Sequence, residues 1–196
     1  MDRATVLTYN RNPQFYAEKF AGIGPRIDDI DKVFGLVLGT EPLVVEFGCG
    51  DGRDAVEILH RTKRYIGVDI SSGLLNIAKE RVPAAQFVEA DITDYEIPSG
   101  TNIVFAFASM LHCDKETNAT ILAKARDRLA DGGAFRISLK KGKYQAMTIA
   151  DEVGERLFFF YELNDILDIS TGFELVESHE TRISTTDWLE VTLRKS

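Results

Sequence analysis

The 196-residue sequence is 44% hydrophobic and 28% charged, values that exclude a disordered, low-complexity or collagen-like chain. Its 23 Lys and Arg residues against 31 Asp and Glu residues give a net charge of −8, which disfavours nonspecific nucleic-acid binding. Because it has only Cys49 and Cys113, no stretch of about 20 apolar residues and no signal-peptide pattern, we expect a cytoplasmic protein without disulfides or a membrane span.

The predicted elements alternate between strands and helices after two N-terminal helices. Short, nearly continuous apolar runs predict the strands, and apolar residues at helical spacing predict the helices. Helices are predicted over residues 13–20, 28–38, 53–60, from Ser71 or Ser72 onward, 114–130 and 162–170. Strands are predicted over residues 43–47, 65–68, 86–90, 103–108, 134–139, 173–179 and 188–193.

This alternation predicts an α/β fold with a doubly wound, mostly parallel seven-stranded sheet, because each crossover helix covers one face of the sheet. The last two strands, joined by a short polar segment, predict a C-terminal antiparallel hairpin. We expect one domain over residues 1–196, with an N-terminal helical cap at 1–40 and a sheet core at 41–196.

The most informative stretch is a predicted buried strand that runs into Gly48, Gly50 and Gly52 at the start of a helix. Glycine permits positive φ and the close approach of a ligand, and such a turn lies at the ligand-binding edge of a doubly wound sheet. A dinucleotide-binding turn has glycine at its sixth position, where this chain has Arg53. Glu46 would repel a pyrophosphate and could hold a cation, so the pattern favours an amino-acid-bearing nucleoside.

This acidic residue followed by Gly-x-Gly-x-Gly resembles the first motif of the class I S-adenosylmethionine-dependent methyltransferases, a resemblance that extends over nearly the whole chain. It implies that Asp69, at the end of the second strand, binds both ribose hydroxyls of S-adenosylmethionine. Asp91, after the third strand, would accept a hydrogen bond from the adenine amino group.

The same resemblance implies further cofactor contacts. Ile70 would pack on the adenine, the Ile92 amide would reach a ring nitrogen, and Arg53 would face the cofactor carboxylate, as an arginine does in some small bacterial members. The implied cofactor-binding residues are Glu46, Gly48, Cys49, Gly50, Arg53, Asp69, Ile70, Asp91, Ile92 and Ala108.

Several of these residues also have structural interpretations. Glu46 fits a paired structural carboxylate, Asp69 a residue at a helix start near Ser71, and Asp91 a turn former. Nothing in the sequence near Cys49 activates a thiolate, so a small loop residue is favoured there over a nucleophile.

The segment after the fourth strand contains His112, the candidate general base for a hydroxyl or protonated-amine acceptor. The alternative is a histidine that holds the helix start beside Asp114. Methyl transfer from a sulfonium is an in-line displacement that alignment and exclusion of water can promote, so a base is optional.

Candidate substrate-lining residues are Tyr9, Lys140, Tyr144 and Tyr161. Lys140 belongs to a basic cluster that suits an acidic small substrate, although a solvated loop is the favoured explanation of the cluster. The aromatic residues suit an apolar pocket or the core, and Tyr9 suits either a lid or an amphipathic helix.

The sequence therefore predicts a methyltransferase that uses S-adenosyl-L-methionine on a small-molecule acceptor, with no nucleic-acid partner. No cluster with metal-ligand spacing is present. Two alternatives are a cofactor-binding module without turnover and a nicotinamide-dependent oxidoreductase, which Arg53 and Asp91 disfavour.

Overall fold

The computed structural model describes residues 1–196, in which helices and strands alternate along most of the chain. The helices are α1 (Arg3–Arg11), α2 (Pro13–Ala21), α3 (Ile27–Phe34), α4 (Arg53–Leu59), α5 (Ser72–Arg81), α6 (Lys115–Arg128) and α7 (Leu163–Leu167). The strands are β1 (Val44–Phe47), β2 (Tyr65–Asp69), β3 (Gln86–Glu89), β4 (Thr101–Phe107), β5 (Leu129–Lys141), β6 (Gln145–Ala150), β7 (Glu155–Tyr161), β8 (Phe173–Ile183) and β9 (Thr186–Lys195). A 3-10 turn, Met110–His112, follows β4.

One sheet forms the centre of the fold, with the order β3-β2-β1-β4-β5-β7-β6 and with β9 and β8 beside β5. The strands β3, β2, β1, β4 and β5 pair in parallel, which confirms the predicted mostly parallel sheet. Alternate residues of β1 pack into different apolar clusters. Val45 and Phe47 belong to the larger cluster, and Val44 belongs to the smaller one. The carboxyl ends of these strands consequently share one edge, where a doubly wound sheet binds its ligands.

The C-terminal antiparallel hairpin is confirmed. Strands β8 and β9 pair antiparallel, and β9 pairs antiparallel with β5 from Ala134–Arg194 to Lys140–Trp188. β9 therefore continues the sheet on the side of β5, and β8 forms its outer strand.

The sheet has nine strands rather than the predicted seven, because residues 145–161 form the additional antiparallel hairpin β6–β7. β7 pairs in parallel with Lys140 and Lys141, beyond the β4–β5 pairing that ends at Ser138. The aromatic run lacks period-two alternation because side chains on both faces of β7 are partly covered. This hairpin lies at the carboxyl end of β5.

The sequence patterns did not predict α1, because its buried residues, Thr5 and Thr8, are polar. The Asp2 side chain caps α1 by accepting a hydrogen bond from the Thr5 N–H. Thr8 Oγ1 donates to the Glu155 carbonyl at 2.8 Å, and Thr5 Oγ1 accepts from the Leu157 N–H at 2.9 Å. Side-chain hydrogen bonds therefore join α1 to β7. None of the helices is long and apolar enough to cross a membrane.

Candidate active site

The turn between β1 and α4 has three glycines in the left-handed region, with φ of +68° at Gly48, +55° at Gly50 and +75° at Gly52. A Cβ atom at Gly48 would lie 2.3 Å from the Ser109 Cβ, and one at Gly52 would lie 3.1 Å from the Ala78 Cβ. At Gly50, no protein atom lies within 4 Å of the Cβ position. Gly48 and Gly52 therefore permit close packing, whereas Gly50 leaves space for a ligand.

Asp69 ends β2 beside this turn and is buried. Its Oδ2 accepts from the Gly50 N–H and its Oδ1 from the Ser71 N–H, both at 2.8 Å. Burial raises the pKa of Asp69, although these backbone donors oppose the shift. Each carboxylate oxygen retains a second lone pair, so Asp69 can accept two further hydrogen bonds, as a vicinal diol requires.

Helix α1 lies next to Asp69 through a different contact. The Asn10 Oδ1 accepts from the Ser71 Oγ at 2.8 Å and from the Gly73 N–H at 3.3 Å. Ser71 is also the N-cap of α5, because its side chain accepts from the Leu74 N–H. The helix start that supports Asp69 is therefore bonded to α1.

Glu46 is buried in the middle of β1, and the Tyr65 hydroxyl donates to its Oε2. Burial and the neighbouring Asp54 raise the pKa of Glu46 to about 8, against the opposing effects of Tyr65, Arg26 and Arg53. The shift favours the protonated form of this carboxyl group. A cation bound beside it would favour its ionised form.

Arg53 begins α4, and its guanidinium bonds α2 and the adjacent Asp54. Its Nη1 donates to the Phe20 carbonyl and its Nη2 to Asp54 Oδ2, both at 3.1 Å. Asp54 also accepts from the N–H and the Nη1 of Arg26 at 2.8 Å. The role of Arg53 toward a cofactor carboxylate remains a prediction.

The acid after β3, Asp91, accepts two hydrogen bonds from Thr93 and one from the α-ammonium group of Met1 at 2.6 Å. Burial acts to raise the pKa of Asp91, but these donors outweigh it and lower the pKa. The Ile92 N–H has no acceptor within the protein. Ile92 itself is buried, and Ile70 is half-buried at the end of β2.

The turn after β4 packs against the glycine turn. Ala108 has a φ of +55°, which is uncommon for a residue with a side chain, and its N–H donates to the Ser138 carbonyl. Ser109 follows, and its Oγ is buried without a hydrogen-bond partner. A buried unpaired hydroxyl costs about 1–3 kcal/mol, so a ligand atom that bonded Ser109 would be stabilised. The sequence patterns predicted no role for Ser109.

His112 is buried, and both of its ring nitrogens are engaged. The Nδ1 donates to the Leu157 carbonyl at 2.6 Å, so in the neutral ring the Tyr9 hydroxyl donates to Nε2 at 3.0 Å. Burial, together with the charges of Arg156 and Lys140, lowers the pKa of His112 to about 4, although the hydrogen bond to the Leu157 carbonyl opposes the shift. His112 is therefore neutral at pH 7. Neither of its ring nitrogens is free to act as the predicted general base.

The hydrogen bonds continue from Tyr9 into the β6–β7 hairpin. Arg156 donates to the Tyr9 hydroxyl at 3.2 Å and to Asp151 Oδ2 at 2.8 Å. Asp151 also accepts from the Tyr16 hydroxyl and from Lys19. Burial opposes the effect, but these partners lower the pKa of Asp151 to about 2. Arg156 and Asp151 were not predicted, because their partners lie in distant segments and leave no local pattern.

The other predicted lining residues have different surroundings. Lys140 is half-buried at the end of β5, and Tyr144 is exposed. Tyr161 is 0% exposed; its hydroxyl donates to the Cys113 carbonyl and accepts from the Asn118 side chain. The structure therefore places Tyr161 in the core, because its hydroxyl finds all of its partners there.

Cys49 lies in the glycine turn and is buried. Burial raises the pKa of its thiol well above the usual value, and the charge of Asp69 adds to this effect. A neutral buried thiol is a poor nucleophile. No group of His, Cys, Asp and Glu side chains is arranged to hold a metal ion.

A family model described as a methyltransferase domain matches residues 44–133, from β1 into β5. Trans-aconitate 2-methyltransferase from Afipia carboxidovorans is 40% identical over 99 residues, which are 49% of this chain and 38% of that protein. The protein of the same name from Acidovorax sp. is 32% identical over 98 residues, 49% of this chain and 37% of that protein. This chain therefore aligns with well under half of the length of these relatives.

Solved structures resemble the chain over most of its length. The 1,6-didemethyltoxoflavin-N1-methyltransferase of Burkholderia thailandensis has a TM-score of 0.74 at 18% identity and covers 98% of this chain and 88% of its own. A TehB-like S-adenosylmethionine-dependent methyltransferase from Corynebacterium glutamicum has a TM-score of 0.71 at 17% identity. This match covers 94% of this chain and 98% of the other. At these identities the likeness concerns the fold.

Proposed function

Because the chain belongs to the class I S-adenosylmethionine-dependent methyltransferases, we propose that it transfers a methyl group from S-adenosylmethionine to a small-molecule acceptor. The observation that supports this function most strongly is one juxtaposition at the sheet edge. The open space at Gly50 and the Asp69 carboxylate bonded to its N–H lie there, and Ser109, whose hydroxyl has no partner, packs against Gly48 of the same turn. The relatives named for trans-aconitate support a small acceptor.

In this proposal, the nucleoside is bound at the ends of β2 and β3. Asp69 accepts hydrogen bonds from the ribose diol, for which its two oxygens have the capacity. Ile70 packs on the adenine, the free Ile92 N–H donates to a ring nitrogen, and Asp91 accepts from the amino group. Asp91 then exchanges the Met1 ammonium for this new donor.

The methionine part is bound along the glycine turn. Gly48, Cys49 and Gly50 form its floor, since only a residue without Cβ leaves the space observed at Gly50. Glu46 supplies a carboxyl group that ionises beside a cation, and Arg53 is the candidate partner of the carboxylate. Ala108 borders the same space from the end of β4.

When bound, the cofactor supplies an electrophilic sulfonium methyl group. The chain has to align the acceptor and exclude water, which are the main requirements of an in-line displacement. The Tyr9 hydroxyl, held between His112 and Arg156, is fixed in orientation and suits alignment. We assign His112 to the positioning of Tyr9, because its own nitrogens are occupied.

We also propose that residues 1–40 act as a cap on a sheet core formed by residues 41–196. The hydrogen bonds of Asn10 to α5, and those of Thr5 and Thr8 to β7, support this division. Tyr9 lies between these contacts on the same helix and would border the acceptor.

The cofactor assignment is tested by titration calorimetry with S-adenosylmethionine, S-adenosylhomocysteine and NAD. We expect micromolar dissociation constants for the first two and no binding of NAD. Asp69→Ala should weaken nucleoside binding by about 1.5–3 kcal/mol through lost hydrogen bonds to a charged group, while the exposed control Asp94→Ala should not. Unchanged affinity in Asp69→Ala would reject its ribose role.

Turnover is tested separately by release of S-adenosylhomocysteine from a library of small acceptors that includes trans-aconitate. We expect at least one acceptor to stimulate release above the rate without acceptor. Tight cofactor binding without turnover on any acceptor would instead favour the cofactor-binding module.

A further inference from the structure

On the premise of the proposed function, we propose that the Lys140 ammonium binds a carboxylate of the methyl acceptor, so that the acceptor is an anionic small molecule. Lys140 is half-buried, and its ammonium group makes no ion pair and no hydrogen bond. Its neighbour Lys141, by contrast, pairs with Glu180. In a chain with 31 acidic residues, a half-buried lysine without an acidic partner requires an explanation.

Aromatic rings hold the ammonium group but leave its charge uncompensated. The Lys140 Nζ lies 5.0 Å from the ring centroid of Phe158, 5.5 Å from that of Trp188 and 5.9 Å from that of Phe160. Burial lowers the pKa of Lys140, and the positive charge of Arg156 lowers it further. An anion bound beside the ammonium would relieve both effects, because it favours the charged form.

Lys140 also lies close to the reacting end of the site. Lys140 lies two residues after Ser138, whose carbonyl accepts a hydrogen bond from the Ala108 N–H. A strand rises about 3.3 Å per residue. The Lys140 Cα therefore lies roughly 7 Å along β5 from Ser138, the residue bonded to the turn that carries the unpartnered Ser109 hydroxyl. This is a suitable position for the part of an acceptor that does not react.

A second cation lies near the same ring. The Arg156 guanidinium carbon is 5.2 Å from the Phe158 centroid, and His112 packs on this ring at 4.7 Å. Arg156 is 7% exposed, and its Nε is buried without a partner although its other nitrogens bond Tyr9 and Asp151. The surroundings of Phe158 therefore combine two cations with one unused donor.

The acceptor must be attracted locally, because the chain as a whole carries a charge of −8 and repels anions. A carboxylate suits this place better than a phosphate. Phosphate sites use backbone N–H groups of helix N-termini or glycine loops, whereas Lys140 lies on a strand between aromatic walls.

The inference is tested on the full chain saturated with S-adenosylhomocysteine, by calorimetric titration with propane-1,2,3-tricarboxylate. Its triamide and glycerol 3-phosphate serve as neutral and phosphate probes. We expect the tricarboxylate to bind and the other two to bind at least about tenfold more weakly, since hydrogen bonds to charged groups carry this affinity.

Lys140→Gln should weaken tricarboxylate binding by about tenfold or more, and Lys140→Arg should retain most of it because the charge is kept. The matched control is Lys141→Gln, an adjacent lysine whose partner is Glu180, and it should bind as the wild type does. Affinity for S-adenosylhomocysteine should stay the same in all three variants. This second measurement also shows that each variant is folded.

Equal tricarboxylate affinity in Lys140→Gln and wild type would overturn the inference. So would tighter binding of the triamide or of glycerol 3-phosphate, or no tricarboxylate binding by a chain that binds S-adenosylhomocysteine. Failure of the wild type to bind S-adenosylhomocysteine contradicts the proposed function instead, so the two failures are distinguishable.

Discussion

The glycine-turn edge and the β6–β7 region are stabilised by different kinds of contact. At the glycine turn, backbone conformation sets the geometry, with positive φ at Gly48 and Gly50 and backbone N–H groups donating to Asp69. At β6–β7, side chains bond one another across distant segments, as Tyr9 does with Arg156 at a separation of 147 residues.

This difference separates what the fold requires from what this chain adds. A glycine turn and an acid at the next strand end work through local backbone geometry, which any chain of this fold can use. A buried side-chain network requires every partner at once, and removal of one leaves the others unsatisfied. Substitutions in the two regions should therefore destabilise the protein by different mechanisms: steric strain at the glycine turn and unsatisfied polar groups at β6–β7.

The largest effect is expected for Gly48→Ala. Its Cβ would lie 2.3 Å from the Ser109 Cβ in a backbone conformation that side chains disfavour. Overpacking and strain together should cost about 3 kcal/mol or more in the free energy of unfolding, measured by urea denaturation. A loss below about 1 kcal/mol would show that the β4 turn moves away easily.

The next largest effect concerns acid stability through His112. Its pKa is about 4 in the folded chain and about 6.5 unfolded, so the unfolded chain binds more protons between these values. The stability supplied by neutral His112 is therefore lost as the pH falls from about 6.5 to 4, by up to about 3 kcal/mol. In urea unfolding measured at several pH values, His112→Asn should reduce the loss of unfolding free energy between pH 6.5 and 4. The control substitution His60→Asn, at an exposed side chain, should leave this pH dependence of the unfolding free energy unchanged.

A smaller effect is expected for Tyr9→Phe. The substitution leaves His112 Nε2 and one Arg156 nitrogen without their shared partner. We expect a loss of about 1–2 kcal/mol in the free energy of unfolding. The control Tyr144→Phe removes only one long, exposed hydrogen bond from the Lys115 N–H, and it should cost less than about 0.5 kcal/mol. Equal losses in the two variants would contradict a stabilising network.

The smallest effect on folding is expected for Gly50→Ala, since no atom lies within 4 Å of the new Cβ. Only the left-handed conformation is penalised, by about 1 kcal/mol. Calorimetry should nevertheless show a large loss of affinity for S-adenosylhomocysteine, because the methyl group enters the ligand space. Unchanged affinity in Gly50→Ala would show that the cofactor does not bind beside Gly50.

The sequence was informative where a signal is local. The turn from β1 into α4, the Ser71 cap of α5 and the hairpin β8–β9 were all predicted, because glycine, serine and alternation act within a few residues. Asp69, at the end of β2, and Asp91, two residues after β3, were predicted from the same kind of local signal.

The remainder depends on contacts between distant segments. Helix α1 has a polar buried face, and the strand β7 has an aromatic run without alternation, so neither has the usual pattern of its class. The surroundings of His112 depend on Tyr9 and Leu157, from segments 103 and 45 residues away. Periodicity within a window of residues carries no information on such partners.

The position of α1 has a consequence for the dynamics of the molecule. Asn10 bonds the start of α5, whereas Thr5 and Thr8 bond β7. Detachment of this helix must break both sets of bonds, so it occurs as one cooperative opening rather than as gradual fraying of the chain end. Amide protons that these contacts protect should then exchange with a common opening free energy, and ligand bound at Asp69 should slow exchange as far away as Leu157.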